Sequence, residues 1–236
     1  MSEWKAKRFW KAADVVEAGH GFTVQLDGRS VKTPAKAPLV VPTHAMAQAI
    51  ATEWDAQEDT IDPNSMPVTR AANAAIDKVS HQHAEVAQMI AGYGDTDLIC
   101  YRTDSPVELV ERQAAAWDPL LDWAADTLGA RLKPITGLMH SPQDPKALAA
   151  LAQRVHQMDA YRLTAFHDLV GLSGSLIIGF AALHELHKIE ALWRLSRIDE
   201  TWQEELWGVD EEAQKQAARK ESEFLAAKRF HDLAKQ

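Results

Sequence analysis

The chain has 236 residues, 46% hydrophobic content and a formal net charge of -9, with a pI near 5.5 and a mean hydropathy of -0.29. Such a length holds one large or two modest cores, and the acidic balance excludes a general nucleic-acid binder while leaving room for a basic protein partner. A single cysteine, Cys100, excludes an internal disulfide and a cysteine-rich zinc site, and it fits a reducing compartment.

Residues 1–8 are polar and basic with no apolar stretch behind them, which is not a signal-peptide pattern. The next stretch reads as β. Phe22, Val24 and Leu26 alternate with Thr23 and Gln25, and Asp27-Gly28 is a hairpin turn pair. Gly19-His20-Gly21 marks an earlier turn, and Leu39-Val40-Val41 a further short strand. Pro34 and Pro38 confine the segment between them to an edge or loop. Thr43 is a good N-cap for a helix that places Ala47, Ile50, Ala51 and Trp54 on one face. A polar loop over 59–67 follows. The domain boundary is placed there: 1–65 as a β-rich N-terminal domain with one helix, 66–236 as a helical domain.

Beyond Val68 the pattern is helical. Ala72, Ala75, Ile76, Val79, Val86, Met89 and Ile90 form one apolar stripe, and residues 96–102 read as an extended connector. Ser105-Pro106-Val107-Glu108 predicts a capping box with proline at the first helical position, in a helix expected to bend or break before Pro119. Asp144-Pro145 opens the next helix, with Leu148, Leu151, Val155 and Met158 facing in. Single helices are then expected over 159–186 and 189–206, the latter stopped by Gly208, with a polar helix from about Asp210. The apolar run 169–183 is shorter than the ~20 residues that span a bilayer, so it reads as a buried helix and the chain as one without membrane insertion. The fold class is therefore α+β, a small β-rich domain followed by a larger all-α one.

Catalytic patterns are thin. His184 and His187 are three apart rather than four and lack a third ligand in sequence view, although helical residues at that spacing can share a metal. They define, with Glu190, the rival reading of a helical metal-dependent hydrolase. Residues 171–175 are glycine-rich but lack a phosphate loop's lysine and preceding strand, so close helix packing explains them better.

The distinctive stretch is 199–212, which holds seven acidic residues and no basic one, with Trp202 and Trp207 threaded through it. Carboxylates beside large rings suit gripping a partly basic, partly apolar surface. A solvated helix face with inward tryptophans is the plainer alternative. At ~100° per residue Leu195, Ile198, Trp202 and Leu206 share one apolar face. Asp199 falls at its edge, while Glu200 and Glu204 project outward. A carboxylate in that position is costly to desolvate unless paired, so it has either an internal Arg or His partner or an external one.

Several segments, taken in order, resemble one family: Arg8-Phe9, Leu26-Asp27-Gly28-Arg29, Thr33-Pro34, Glu53-Trp54-Asp55-Ala56-Gln57, Met66-Pro67, Thr96-Asp97-Leu98-Ile99-Cys100-Tyr101-Arg102, Trp117-Asp118-Pro119-Leu120, Ser196-Arg197-Ile198-Asp199 and Trp207-Gly208. The series is similar to the assembly chaperones of F-type ATP synthase that bind the free alpha subunit (the ATP-twelve family), from about Lys7 to Phe230. The resemblance implies a non-enzymatic, nucleotide-independent monomer without cofactors. Such a protein keeps unassembled alpha subunit soluble until it pairs with beta. Together with the acidic, tryptophan-threaded stretch it points to partner-binding residues Asp199, Glu200, Trp202, Glu204 and Trp207, and it supplies the motif residues Trp54, Gln57, Asp97 and Arg102. The family's acidic residue maps to Asp199, where glutamate is common. Relatives occur in mitochondria and in bacteria; with no presequence, the bacterial cytoplasm is expected here.

Overall fold

In the computed structural model the described residues are 7–137 and 139–235, and they divide into two compact units. Residues 7–82, 159–165 and 229–235 form the first; 83–137, 139–158 and 166–228 form the second. The expected boundary after residue 65 lies within the first unit, which also takes back two segments from far along the chain.

The first unit begins with β1 (Ala13–Ala18), β2 (Gly21–Leu26) and β3 (Arg29–Ser30) in an antiparallel sheet of order β1-β2-β3. Val15 stands opposite Val24, and Gln25 opposite Ser30. Asp27 (φ 47°) and Gly28 (φ 80°) both take the left-handed region demanded by a tight hairpin turn. The Asp27 carboxylate accepts the backbone N–H groups of Lys11 and Ala12, which hold its pKa below the ordinary value. Gly21 is required sterically, because a Cβ there would lie 2.4 Å from the Val41 carbonyl oxygen. The expected strand at 39–41 is a lone bridge, with Phe22 and Val41 exchanging N–H···O bonds of 2.9 and 2.8 Å.

Helix α1 (His44–Asp55) is capped by Thr43, whose hydroxyl accepts the Met46 N–H. Its buried Met46, Ala47, Ile50 and Ala51 meet Val24 and Leu26 in the core of this unit. The short α2 (Pro67–Ala74) follows and continues into a wider π-type turn over Ala75–Val79. Helical pairing stops at 80–82, so the expected continuous stripe is interrupted, and Met89 beyond it is exposed. Tyr161 Oη donates to the Val40 carbonyl at 2.6 Å, and Thr43 Oγ1 to that of Leu233 at 2.5 Å, tying the two later segments into this unit. Phe230 and Ala234 are buried in its core.

The second unit starts at α3 (His83–Ala91), which packs against α5 (Pro145–His156). Asp144 caps α5 by accepting the Lys146 N–H. Between them run α4 (Val107–Trp123) and a two-stranded parallel ribbon, β4 (Tyr101–Arg102) with β5 (Ile135–Thr136). The capping box expected at the start of α4 does not form, and no break occurs before Pro119. Pro106 stands outside the helix as its N-cap with no side-chain capping bond from Ser105, and the helix runs on through Pro119. Only one N–H is forfeited there, while Trp117, Leu120 and Leu121 bury on either side of it.

Neither expected long helix is continuous. Residues 160–183 split into α6 (Ala160–Ser173) and α7 (Leu176–Leu183) at Gly174, whose φ of 72° ends the first, while the Ser175 hydroxyl accepts the Ile178 N–H and starts the second. Helix α7 is buried nearly all round, as an all-apolar helix must be. Gly179 makes this possible: a Cβ there would sit 2.7 Å from Val170 Cγ2 and 2.9 Å from Phe166 Cε2 on α6. Residues 189–207 split into α8 (Ile189–Leu195) and α9 (Ile198–Trp207), where Ser196 Oγ donates back to the Trp193 carbonyl at 2.7 Å. After Gly208 the chain enters α10 (Glu211–Leu233). The fold is α+β, a small N-terminal sheet followed by a helical region. Among the described residues no helix is long and apolar enough to cross a membrane.

Candidate functional site

The α8–α9 break turns α9 so that one side lies along α4, and three α4 side chains grip the two helices there. Trp117 Nε1 donates to the Leu195 carbonyl at 2.7 Å. Arg112 lies over the Trp202 ring, 4.9 Å from its centroid, and forks onto Glu205 with both N–O distances 2.9 Å. That pairing raises the Arg112 pKa and lowers that of Glu205. Gln113, only 2% exposed, donates from Nε2 to Asp199 Oδ1 at 2.7 Å.

The five residues expected to bind a partner therefore fall into different situations. Glu200 is paired with Arg197 at 2.6 Å. Trp202 is half-buried beneath Arg112. The internal partner of half-buried Asp199 is a neutral amide rather than an Arg or His, so its charge is oriented but not neutralised. Among the described residues neither Asp199 nor Glu204 has a cationic partner. Trp207 is the open one, 78% exposed, flanked by Leu206 at 57% and Val209 at 56%. Of the apolar face expected for Leu195, Ile198, Trp202 and Leu206, the first three are half-buried and Leu206 lies in solvent.

Part of the acidic run has a local explanation. Asp199 and Glu200 sit in the first turn of α9, and Glu211 and Glu212 in that of α10, where negative charge is favoured by the helix dipole. Asp210 accepts the Ala213 N–H through its carboxylate. Uncompensated self-repulsion is thus weaker than the bare count suggests. The chemical offer of this surface is desolvatable aromatic and aliphatic area at 206–209, with unneutralised carboxylates on the preceding helix.

Structural geometry surrounds the four motif residues. The Trp54 ring meets Trp10 edge-on at 5.2 Å, and Arg8 lies over Trp10. Gln57 ties the polar loop together: Nε2 donates to the Glu53 carbonyl and to Ser65 Oγ, and Oε1 accepts the Asp62 N–H. Glu53, unremarked beyond its place in the motif, accepts the N–H groups of Val68 and Thr69 and the Thr69 hydroxyl, which caps α2. Fully buried Asp97 accepts the N–H groups of Ile99 and Ile177, so one carboxylate holds the start of α7 against the 98–100 turn. Arg102 stacks over Trp117 at 5.2 Å, donates to the Ile99 carbonyl and pairs with Asp118 at 2.9 Å.

The hydrolase alternative loses its geometry. His184 follows the last residue of α7, His187 lies in the connection, and Glu190 is in the first turn of α8, so they share no helix face. His184 packs edge-on to Trp123, and burial lowers its pKa. Among the described residues no group of three His, Cys, Asp or Glu side chains is placed to hold a metal. The residues that sequence reasoning missed are Arg112 and Gln113. Their only signal was a position facing 199–205, which local periodicity does not contain.

The fold and this surface describe an α+β protein whose open site is contact area and charge. The profile of the family described as ATP12 chaperone protein matches residues 7–125, and the structure of Atp12 from Paracoccus denitrificans is 48% identical, covering 99% of this chain and 100% of that one with a TM-score of 0.96. The chain belongs to the ATP12 chaperone family. An aspartate-to-lysine mutant of the P. denitrificans protein matches with the same identity, coverage and TM-score. The mitochondrial protein atp12 of Schizosaccharomyces pombe is 27% identical over 220 residues, 88% of this chain and 75% of that protein.

Proposed function

We propose that this protein is an assembly chaperone of F-type ATP synthase that binds the unassembled alpha subunit and keeps it soluble until it pairs with beta. The observation that carries the reading is the α9–α10 turn, where Leu206, Trp207 and Val209 are exposed together beside carboxylates without cations. A folded chain gains nothing by leaving an indole and two aliphatic side chains in water, whereas a partner that desolvates them gains binding free energy. The acidic rim selects a client patch edged with lysine or arginine and repels an acidic one. Binding of this kind needs no nucleotide, metal or catalytic group. The protein acts as a monomer in the bacterial cytoplasm, with no nucleic acid and no membrane insertion.

The test is aggregation of isolated alpha subunit followed by light scattering without ATP. The purified protein suppresses it, and equal protection of an unrelated unfolding protein would refute specific alpha chaperoning. Asp199→Lys retains the fold by circular dichroism and weakens alpha binding tenfold or more, roughly 1.4 kcal/mol. Parental binding by that variant would place the site elsewhere.

A further inference from the structure

We infer that Gln113 is a positioning residue: it aims the Asp199 carboxylate at a cationic side chain of the client while leaving its charge intact. The inference rests on the alpha-binding reading above and deepens it. Its starting point is a buried amide, which folding does not tolerate unsatisfied. Gln113 Oε1 accepts the Thr103 backbone N–H at 3.0 Å. Because that neighbour can only donate, the amide oxygen must face it, and the Nε2 end is left facing Asp199 at 2.7 Å. The orientation of the amide is thereby set by the backbone, and that of the carboxylate by the amide.

Charge bookkeeping along α9 says what the arrangement is for. Arg197 pairs with Glu200, and Arg112 with Glu205. Asp199 instead receives a neutral donor, and among the described residues no cation approaches it. A cation in the place of Gln113 would have neutralised Asp199 and removed its use to a partner. No donor at all would have left a half-buried carboxylate free to rotate. A carboxylate held along one oxygen presents the other in a fixed direction, so less side-chain freedom is lost when a guanidinium or ammonium group arrives. Being partly shielded from solvent, that pair is screened by salt less than a surface pair.

The experiment titrates isolated alpha subunit against the parent, Gln113→Met, Asp199→Asn, their double variant and Gln113→Glu. Asp199→Asn keeps an acceptor for Gln113 and loses the charge, so it folds normally and binds about tenfold or more weakly. Gln113→Met weakens binding by about fivefold in the parent and has no further effect on Asp199→Asn, the non-additivity expected of residues that act as one unit. Gln113→Glu preserves chain length and the acceptor for Thr103, and so covers the case in which the methionine variant does not fold. Near pH 5 its introduced carboxyl is protonated and donates to Asp199 as the amide did. By pH 8 the two carboxylates repel, so its affinity relative to the parent falls as pH rises. Additive effects in the cycle, or a pH-independent ratio for Gln113→Glu, overturn the positioning role while alpha binding stands. Failure of the parent to bind alpha overturns both readings.

Discussion

Trp54 and Asp97 show how a motif residue can serve the fold. Trp54 packs against the first core through Trp10 and is only partly exposed. Trp54→Ala is expected to cost about 3 kcal/mol, the low end for tryptophan truncation because part of the ring already meets water; urea unfolding measures it. Asp97 is more telling, because burial pushes its carboxyl up to about 6 from an ordinary 3.8, against the opposing hydrogen bonds from Ser175, Ile177 and Ile99. The folded state therefore binds this proton more tightly than the unfolded chain. The resulting stabilisation is complete below pH 3.8 and is lost as pH rises through 6. Asp97→Asn removes that titration, so its stability deficit relative to the parent should shrink between pH 4 and pH 7, by an amount on the order of 3 kcal/mol. Unfolding curves of both proteins at the two pH values check it, and a constant deficit would show that Asp97 keeps an ordinary pKa.

Among elements, the informative events are helix starts and stops. Glu53 lies near the end of α1, yet its carboxylate caps α2 by accepting two backbone N–H groups at 2.8 Å. Glu53→Ala should cost about 1–2 kcal/mol by leaving those donors unmet, with Glu53→Gln in between; denaturant midpoints distinguish the three proteins. The caps at Thr43 and Asp144 were legible in sequence because each acts on an N–H within three residues. The breaks at Gly174 and Ser196 were not. Apolar residues lie on both sides of each break, and the helix ends at a left-handed glycine in one case and at a hydroxyl bond back to the Trp193 carbonyl in the other. Pro119 is the converse, a local signal for a break that burial of its neighbours overrides.

For the whole molecule the proposed client binding has to leave the stability of an acidic chain unchanged. On the proposed alpha-binding reading, Trp207 separates binding from folding. Since its ring is largely in solvent, Trp207→Ala should change stability by less than ~0.5 kcal/mol. Its loss should nevertheless weaken alpha binding by about tenfold or more, as removal of an aromatic anchor does. Calorimetric titration beside a thermal melt reads both quantities. Raising salt should slow association more than it speeds dissociation, because the net charge of -9 acts at long range and the apolar contact does not.

Local chemistry alone determined the Asp27-Gly28 turn, the Thr43 and Asp144 caps, the α+β order of elements and the acidic stretch at 199–212. Each depends on φ/ψ preferences, capping or composition within a few neighbouring residues. Tertiary structure decided which of those carboxylates meet a cation. Glu205 is ion-paired with Arg112, whereas Asp199 meets only the neutral amide of Gln113, pairings that span 93 and 86 residues of chain. It also decided that Leu206 faces solvent and that residues 159–165 and 229–235 join the first unit. Periodicity records which side of a helix is apolar, but only packing between distant segments sets which apolar surface is covered and which charge is matched.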